Sequence, residues 1–244
     1  MIITDRNLLL NLITVSTTIL FSTLIPVSVA HAESTKEIPI EPIGYNLING
    51  HPDTKNPIEN PNLVNNPGYS RTDANPGSLP DSDIATEEKI INEDDRTPIT
   101  DTTDTPYRWL GVIDYTTSSD RRGACTGALI SKDTVLTAGH CVARGNNNFT
   151  FTPGRNGNNH PFETIQVTQV WYDKNISYTS HDWGILKLAT PIGDKTGWFG
   201  MHIADRATLS NQHATVAGYP GDKPENTLWK DKSDITEVTD KRVY

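Results

Sequence analysis

The stretch TVLTAGHC, Thr134 to Cys141, sets a histidine beside a cysteine at the end of a short apolar run. Ala138-Gly139 lets the backbone turn sharply just before His140. Imidazole is the side chain that takes up and returns a proton near neutral pH. His140 is therefore read as a general base, whereas His51, His160, His202 and His213 have no comparable context. Further on comes SHDWGILKL, with Asp182 immediately before the apolar run Gly184–Leu188. A carboxylate at the mouth of a buried strand accepts the imidazole N–H and holds one tautomer. The order His then Asp belongs to a triad in which serine comes last.

That serine has to lie in a glycine-bounded turn well beyond Asp182. Only Ser210 and Ser233 follow it, in the contexts TLSNQ and DKSDI, and neither has a glycine neighbour. Cys141 is the last cysteine, so no thiol takes the role. The nucleophile is absent from the sequence as written, so residues 1–244 alone are expected to carry out no acyl transfer. Loss of the nucleophile alone costs about 10⁶-fold in kcat in subtilisin.

The N-terminus bears on compartment. Asn7–Ala32 holds no Asp, Glu, Lys or Arg, and the run closes on Ala30-His31-Ala32, the small-x-small pattern of signal peptidase cleavage. The run is also long enough to anchor in a bilayer. Its Thr, Ser and Asn, its Pro26 and the cleavage pattern favour a signal peptide over 1–32, removed after Ala32, and export. No stable membrane association is expected after that removal. In an oxidising compartment Cys125 and Cys141 are expected to form a disulfide. A zinc site with His140 as third ligand is the rival, but adjacent His and Cys cannot easily ligate one ion, and no C-x-x-C occurs.

The net charge of −9 is unevenly spread. Residues 33–88 hold ten acidic and three basic side chains and eight of the sixteen prolines, with few apolar residues to pack. This segment is expected to be a disordered or extended acidic linker, stalk or pro-segment. Residues 89–244 are nearly neutral, with nineteen acidic and seventeen basic side chains, and no basic patch points to nucleic acid. From Tyr107 on, short apolar or alternating runs recur between Gly, Asn, Asp and Pro clusters. They are Tyr107–Tyr115, Ala124–Ser131, Thr134–Thr137, Phe149–Thr152, Ile165–Tyr172, Trp183–Leu188, Ala214–Tyr219 and Leu228–Val238. Short strands spaced by turn signals predict an all-β sandwich or barrel.

With DDRTPITDTT, PYRWLGVI, CTGALIS, TVLTAGHC, PGRNG, HDWGILKL, TPIG, TGWFG and GYPGDKP in this order, residues 89–244 resemble the bacterial glutamyl endopeptidases, secreted proteases related to the exfoliative toxins. The resemblance implies a chymotrypsin-like double β-barrel, with residues 107–190 forming a nearly complete first barrel and 191–244 only part of the second. It implies a trypsin-like peptidase domain over 89–244 that lacks its C-terminal part, where the family carries G-x-S-G-S-P and the walls of its glutamate pocket. His140 then matches the general base, Asp182 its orienting carboxylate, and Cys125–Cys141 the bridge across the histidine loop. His181 has no assignable family role and is read as a surface residue. Cleavage of the pro-segment after Glu88 would make Lys89 a new amino terminus near the substrate's glutamate. Protein or peptide substrates, a monomer, and no metal or other cofactor are expected. The alternatives are a secreted non-catalytic binding module or decoy built on the first barrel, and a tethered structural protein with the Pro-rich segment as a stalk.

Overall fold

The computed structural model describes residues 39–59, 94–143, 145–177, 181–201, 204–210, 212–236 and 238. Residues 1–32, the processing residues Ala32 and Glu88, and Lys89 lie outside them.

The first strands of the domain follow directly from side-chain alternation. In β8 (Ile165–Asp173), Ile165 and Val167 are buried while Gln166 and Thr168 face solvent, the period-two pattern of a half-buried strand. Around it stand β4 (Leu110–Thr116), β5 (Arg122–Ser131), β6 (Thr134–Thr137), β7 (Asn147–Pro153) and β9 (Gly184–Leu188). These six pair antiparallel in the order β8-β7-β4-β5-β6-β9, and β9 pairs back onto β8. The six strands thus close into a barrel, although β7 and β8 pair only at Thr150–Gln166 and Phe151–Ile165. Its interior is a single cluster including Trp109, Ile113, Leu129, Val135, Phe149, Phe151, Val170 and Leu186.

The second unit is less complete. Among the described residues it is a three-stranded antiparallel sheet in the order β10-β11-β3, from β10 (His213–Gly218), β11 (Trp229–Asp234) and β3 (Thr97–Pro98). It does not close. The molecule is all-β, with a closed first barrel and an incomplete second one. A small core of Ile99, Leu110 and Leu228 joins the two units. The Tyr219 N–H also donates to Thr126 Oγ1 on β5 at 2.8 Å.

Two expectations need correction. The run from Tyr107 opens not as strand but as a 3-10 turn, Tyr107–Trp109. There the buried Trp109 donates its indole N–H to the Thr196 carbonyl at 2.7 Å. The larger correction falls within the acidic 33–88 segment, where residues 42–59 are not disordered. They form a hairpin of β1 (Pro42–Ile48) and β2 (His51–Glu59), and β1 pairs antiparallel with β8. The prolines that argued against structure fall where a sheet tolerates them. Pro42 is the first residue of its strand, and Pro52 and Pro57 lie on β2, the outermost strand. The apolar surface that composition lacked is supplied by the barrel, against whose core Tyr45 and Leu47 pack.

Among the described residues no helix is long and apolar enough to cross a membrane.

Candidate active site

β6 and β9 are antiparallel neighbours, with Thr137 opposite Gly184. The residue that leaves β6 and the residue that enters β9 therefore share one end of the barrel. His140 stands three residues past Thr137, in the short helix α1 (Gly139–Val142), and Asp182 stands two before Gly184. Sequence separation of 42 residues is cancelled by one strand pairing.

The contact is direct. Asp182 Oδ2 lies 2.9 Å and Oδ1 3.2 Å from His140 Nδ1, and Oδ1 also accepts the His140 backbone N–H at 2.8 Å. An ionised carboxylate only accepts, so Nδ1 carries the ring proton and the lone pair is left on Nε2. The backbone bond fixes where the carboxylate sits; the ring bond fixes which tautomer faces away from it. The His140 side chain is 36% exposed and that of Asp182 24%, so the pair is braced inside but open to a reactant.

Gly139 makes this approach possible, for a different reason than the sharp turn expected. A Cβ built there would lie 2.6 Å from the Trp183 carbonyl oxygen, on the loop that carries Asp182. Only a residue without a side chain lets the two loops meet. Cys141, buried on the same helical turn, is joined to Cys125 on β5, with Cα atoms 6.3 Å apart. The disulfide ties the histidine loop to a barrel strand.

The zinc alternative does not fit this arrangement. Ligand atoms of Cys125, His140 and Cys141 lie within 4.8 Å of one another, but the two sulfurs are bonded to each other and neither is a thiolate. His140 Nδ1 is engaged by Asp182.

The two later serines lie in the second unit. Ser210 ends the short helix Arg206–Leu209 and donates its hydroxyl to the Arg206 carbonyl at 2.8 Å. Ser233 sits in β11 opposite Ala214.

His181, read from the sequence as a surface residue, is a further member of this neighbourhood. Its side chain is 15% exposed, and Nδ1 lies 2.9 Å from Oδ2 of Asp173, whose side chain is fully buried at the end of β8. His181 has φ of 59°, a left-handed conformation that non-glycine residues seldom adopt. The one signal in the sequence was its place next to Asp182; Asp173 lies eight residues earlier, just past the predicted strand Ile165–Tyr172, and nothing local joins the two. Beyond it, Tyr172 packs on Tyr45 with ring centroids 6.0 Å apart, and burial together with the Tyr45 hydroxyl pushes its phenol well above the ordinary value.

Comparison with known proteins agrees with this architecture. The family profile described as Trypsin matches residues 98–242. The chain is 36% identical over 156 residues to a glutamyl endopeptidase of Bacillus licheniformis, covering 60% of this chain and 46% of that protein. It is 36% identical over 155 residues to a Bacillus subtilis protein called extracellular metalloprotease, covering 60% and 49%. A Staphylococcus aureus glutamyl endopeptidase is 32% identical over 165 residues, covering 60% and 42%. The chain thus spans about half the length of these curated relatives. Among solved structures, a Glu endopeptidase in complex with MPD superposes with a TM-score of 0.53 at 24% identity, over 62% of this chain and 73% of that one. The Anisep protease of Arthrobacter nicotinovorans does so with a TM-score of 0.50 at 18% identity, over 59% and 68%. At such identities the superpositions carry the fold alone. The closed barrel, the His140–Asp182 contact at one end of it and a family match over most of residues 94–244 lead to one conclusion: the chain belongs to the trypsin family of serine proteases and is similar, within it, to the glutamyl endopeptidases.

Proposed function

We propose that this chain carries the base and the orienting carboxylate of a secreted serine endopeptidase that cleaves proteins or peptides after Glu or Asp. The single observation that carries the reading is the twofold acceptance by Asp182 of the His140 ring and backbone N–H groups. With Nδ1 protonated, Nε2 takes the proton of an attacking serine hydroxyl as the acyl-enzyme forms, then returns it to the leaving amine. Asp182 stabilises the imidazolium in between. The acidic preference and the extracellular setting rest on the named relatives and on the N-terminal run, and the protein acts as a monomer on peptide chains without a metal or other cofactor.

The serines beyond Asp182, Ser210 and Ser233, have no glycine neighbour to shape a nucleophile turn. Acyl transfer therefore needs a nucleophile from outside these residues, and residues 33–244 alone do not hydrolyse peptides. His140 and Asp182 are then catalytic residues awaiting that group, with cleavage after Glu88 freeing Lys89 as the amino terminus of the enzyme. The test has two arms. Treating residues 33–244 with a serine-directed fluorophosphonate is expected to give no labelling; labelling, or cleavage of a Glu-containing peptide that His140→Ala abolishes, overturns the inactivity. Sequencing the gene beyond codon 244 is expected to show a continuing or shifted frame encoding G-x-S-G-S-P. Its absence leaves the closed barrel as a secreted binding module instead.

A further inference from the structure

The barrel seam between β7 and β8 is open for much of its length. Only Thr150 with Gln166 and Phe151 with Ile165 pair across it. Past that point β8 turns its free edge to β1, in five consecutive pairs from Asn46–Gln169 to Pro42–Asp173. The hairpin thus occupies the place that β7 vacates. It fills the gap in three directions. Tyr45 and Leu47 pack inward against the barrel core, and Ile58 packs outward on Trp171 and its neighbours. At the tip, the Gly50 carbonyl accepts the Asn148 N–H of β7 at 2.7 Å. Gly44 faces the Trp171 indole so closely that any Cβ would run into the ring.

The far end of the hairpin is tied to the turn after β8. The Glu41 N–H donates to Asp173 Oδ2 at 3.2 Å, the Lys174 N–H to the Glu41 carbonyl at 2.9 Å, and Asn175 Nδ2 to the Pro39 carbonyl at 3.0 Å. Asp173 is the shared acceptor: it takes the N–H of Glu41, of Asn175 at 2.8 Å and of the His181 ring. His181 precedes Asp182, which holds His140. One continuous line of contacts runs from the hairpin to the catalytic pair.

We propose that residues 39–59 are a strand-donating plug, bound in the β7–β8 seam as a partner of the barrel rather than a passive leader, and that Asp173 and His181 are positioning residues through which the seated plug holds the Asp182 loop. Strand addition of this kind binds by main-chain hydrogen bonds, with pockets for alternate side chains giving specificity. Here the strand comes from the same chain, upstream of the segment expected to be cut. Its docking stands on the seam geometry alone; its effect on His140 rests on the His140–Asp182 reading given above.

The test uses residues 33–244 with a specific protease site inserted between 61 and 88, and cuts there after folding. The upstream fragment is expected to co-elute with the barrel on size exclusion; a fragment that elutes alone from the unsubstituted protein overturns the plug. Gly44→Val is expected to release the fragment, with the amides of Val112, Ile113 and Leu129 still protected from exchange; retention overturns the seam geometry. Should that variant not fold, Leu47→Ala trims the packing of a half-buried side chain on the barrel core and is expected to weaken retention about tenfold, whereas unchanged retention counts against the plug. The positioning role is read in histidine ¹⁵N spectra of the uncut chain. Asp173→Asn and His181→Asn, the latter tolerant of a left-handed backbone, are expected to move the Nδ1 resonance of His140. An unmoved resonance overturns the coupling and leaves both the plug and the His140–Asp182 pair standing.

Discussion

Take the disulfide away and the barrel should lose a defined part of its stability. The bridge closes a loop of 16 residues from Cys125 to Cys141. In the chain-entropy description, freeing a loop of that size returns about 3 kcal/mol of entropy to the unfolded chain. Reduction of the native protein removes the cross-link and keeps both sulfurs, so it measures that quantity alone. Cys125→Ala with Cys141→Ala also deletes the sulfur of Cys141, a residue 2% exposed in the core. The small void adds about 1 kcal/mol more. Urea unfolding of residues 33–244 followed by far-ultraviolet circular dichroism, oxidised against reduced and against the double variant, separates the two contributions. The expected order of midpoints is oxidised, reduced, double variant. A reduced protein within about 1 kcal/mol of the oxidised one would refute the reasoning. The β5–β6 turn, closed by Leu129 with Val135 and Ala128 with Leu136, would then persist in the unfolded chain and already hold the loop.

Gly139→Ala puts a methyl 2.6 Å from the Trp183 carbonyl, and overpacking of this kind costs about 1–3 kcal/mol. It should also part the two loops, seen as faster exchange of the His140 amide with the Asp182 bond gone. Phe151→Ala, at a fully buried position in the barrel core, is expected to destabilise by about 3–5 kcal/mol in the same urea assay. Beside the second sheet, Arg96 holds the Asp94 carboxyl below its ordinary value, with Lys223 assisting, and lowers Asp222 as well. Groups depressed in the folded state contribute fully above the unfolded value of 3.8 and lose that contribution as pH falls through their folded values. Lys223 lies over the Trp229 ring. Tryptophan fluorescence of wild type against Arg96→Ala should therefore agree near neutral pH in its pH response and diverge only in acid, where wild type alone shows a late transition.

Much of this site was readable locally because its parts announce themselves over a few residues. The proposed base is an imidazole, and Ala138-Gly139-His140-Cys141 at the end of an apolar run is a short-range arrangement. The strands of the barrel were legible for the same reason: alternation in Ile165–Tyr172 or the apolar run Gly184–Leu188, interrupted at Lys187, is set by which face meets the core. His181 and the 42–59 hairpin were not legible. Asp173, which binds His181, is eight residues away across a turn, and the hairpin's own composition could not have supplied the apolar partners that stabilise it. A segment poor in hydrophobic residues reads as unstructured until another part of the chain lends it a surface.

The sequence by itself determined the chemistry on offer: one histidine in a distinctive setting, one carboxylate in the right order after it, two cysteines able to pair, and no glycine-bounded serine to follow. It also determined the all-β architecture, because short alternating and largely apolar runs dictate strands wherever a core exists. Only the tertiary structure decided that β6 and β9 are neighbours, which converts a separation of 42 residues into a hydrogen bond of 2.9 Å. Only the tertiary structure found an open seam in the barrel and a Pro-rich hairpin seated in it. Residue types are a local property, but strand pairing is a contest among all the edges of the molecule, and its outcome is settled when every edge has found its partner.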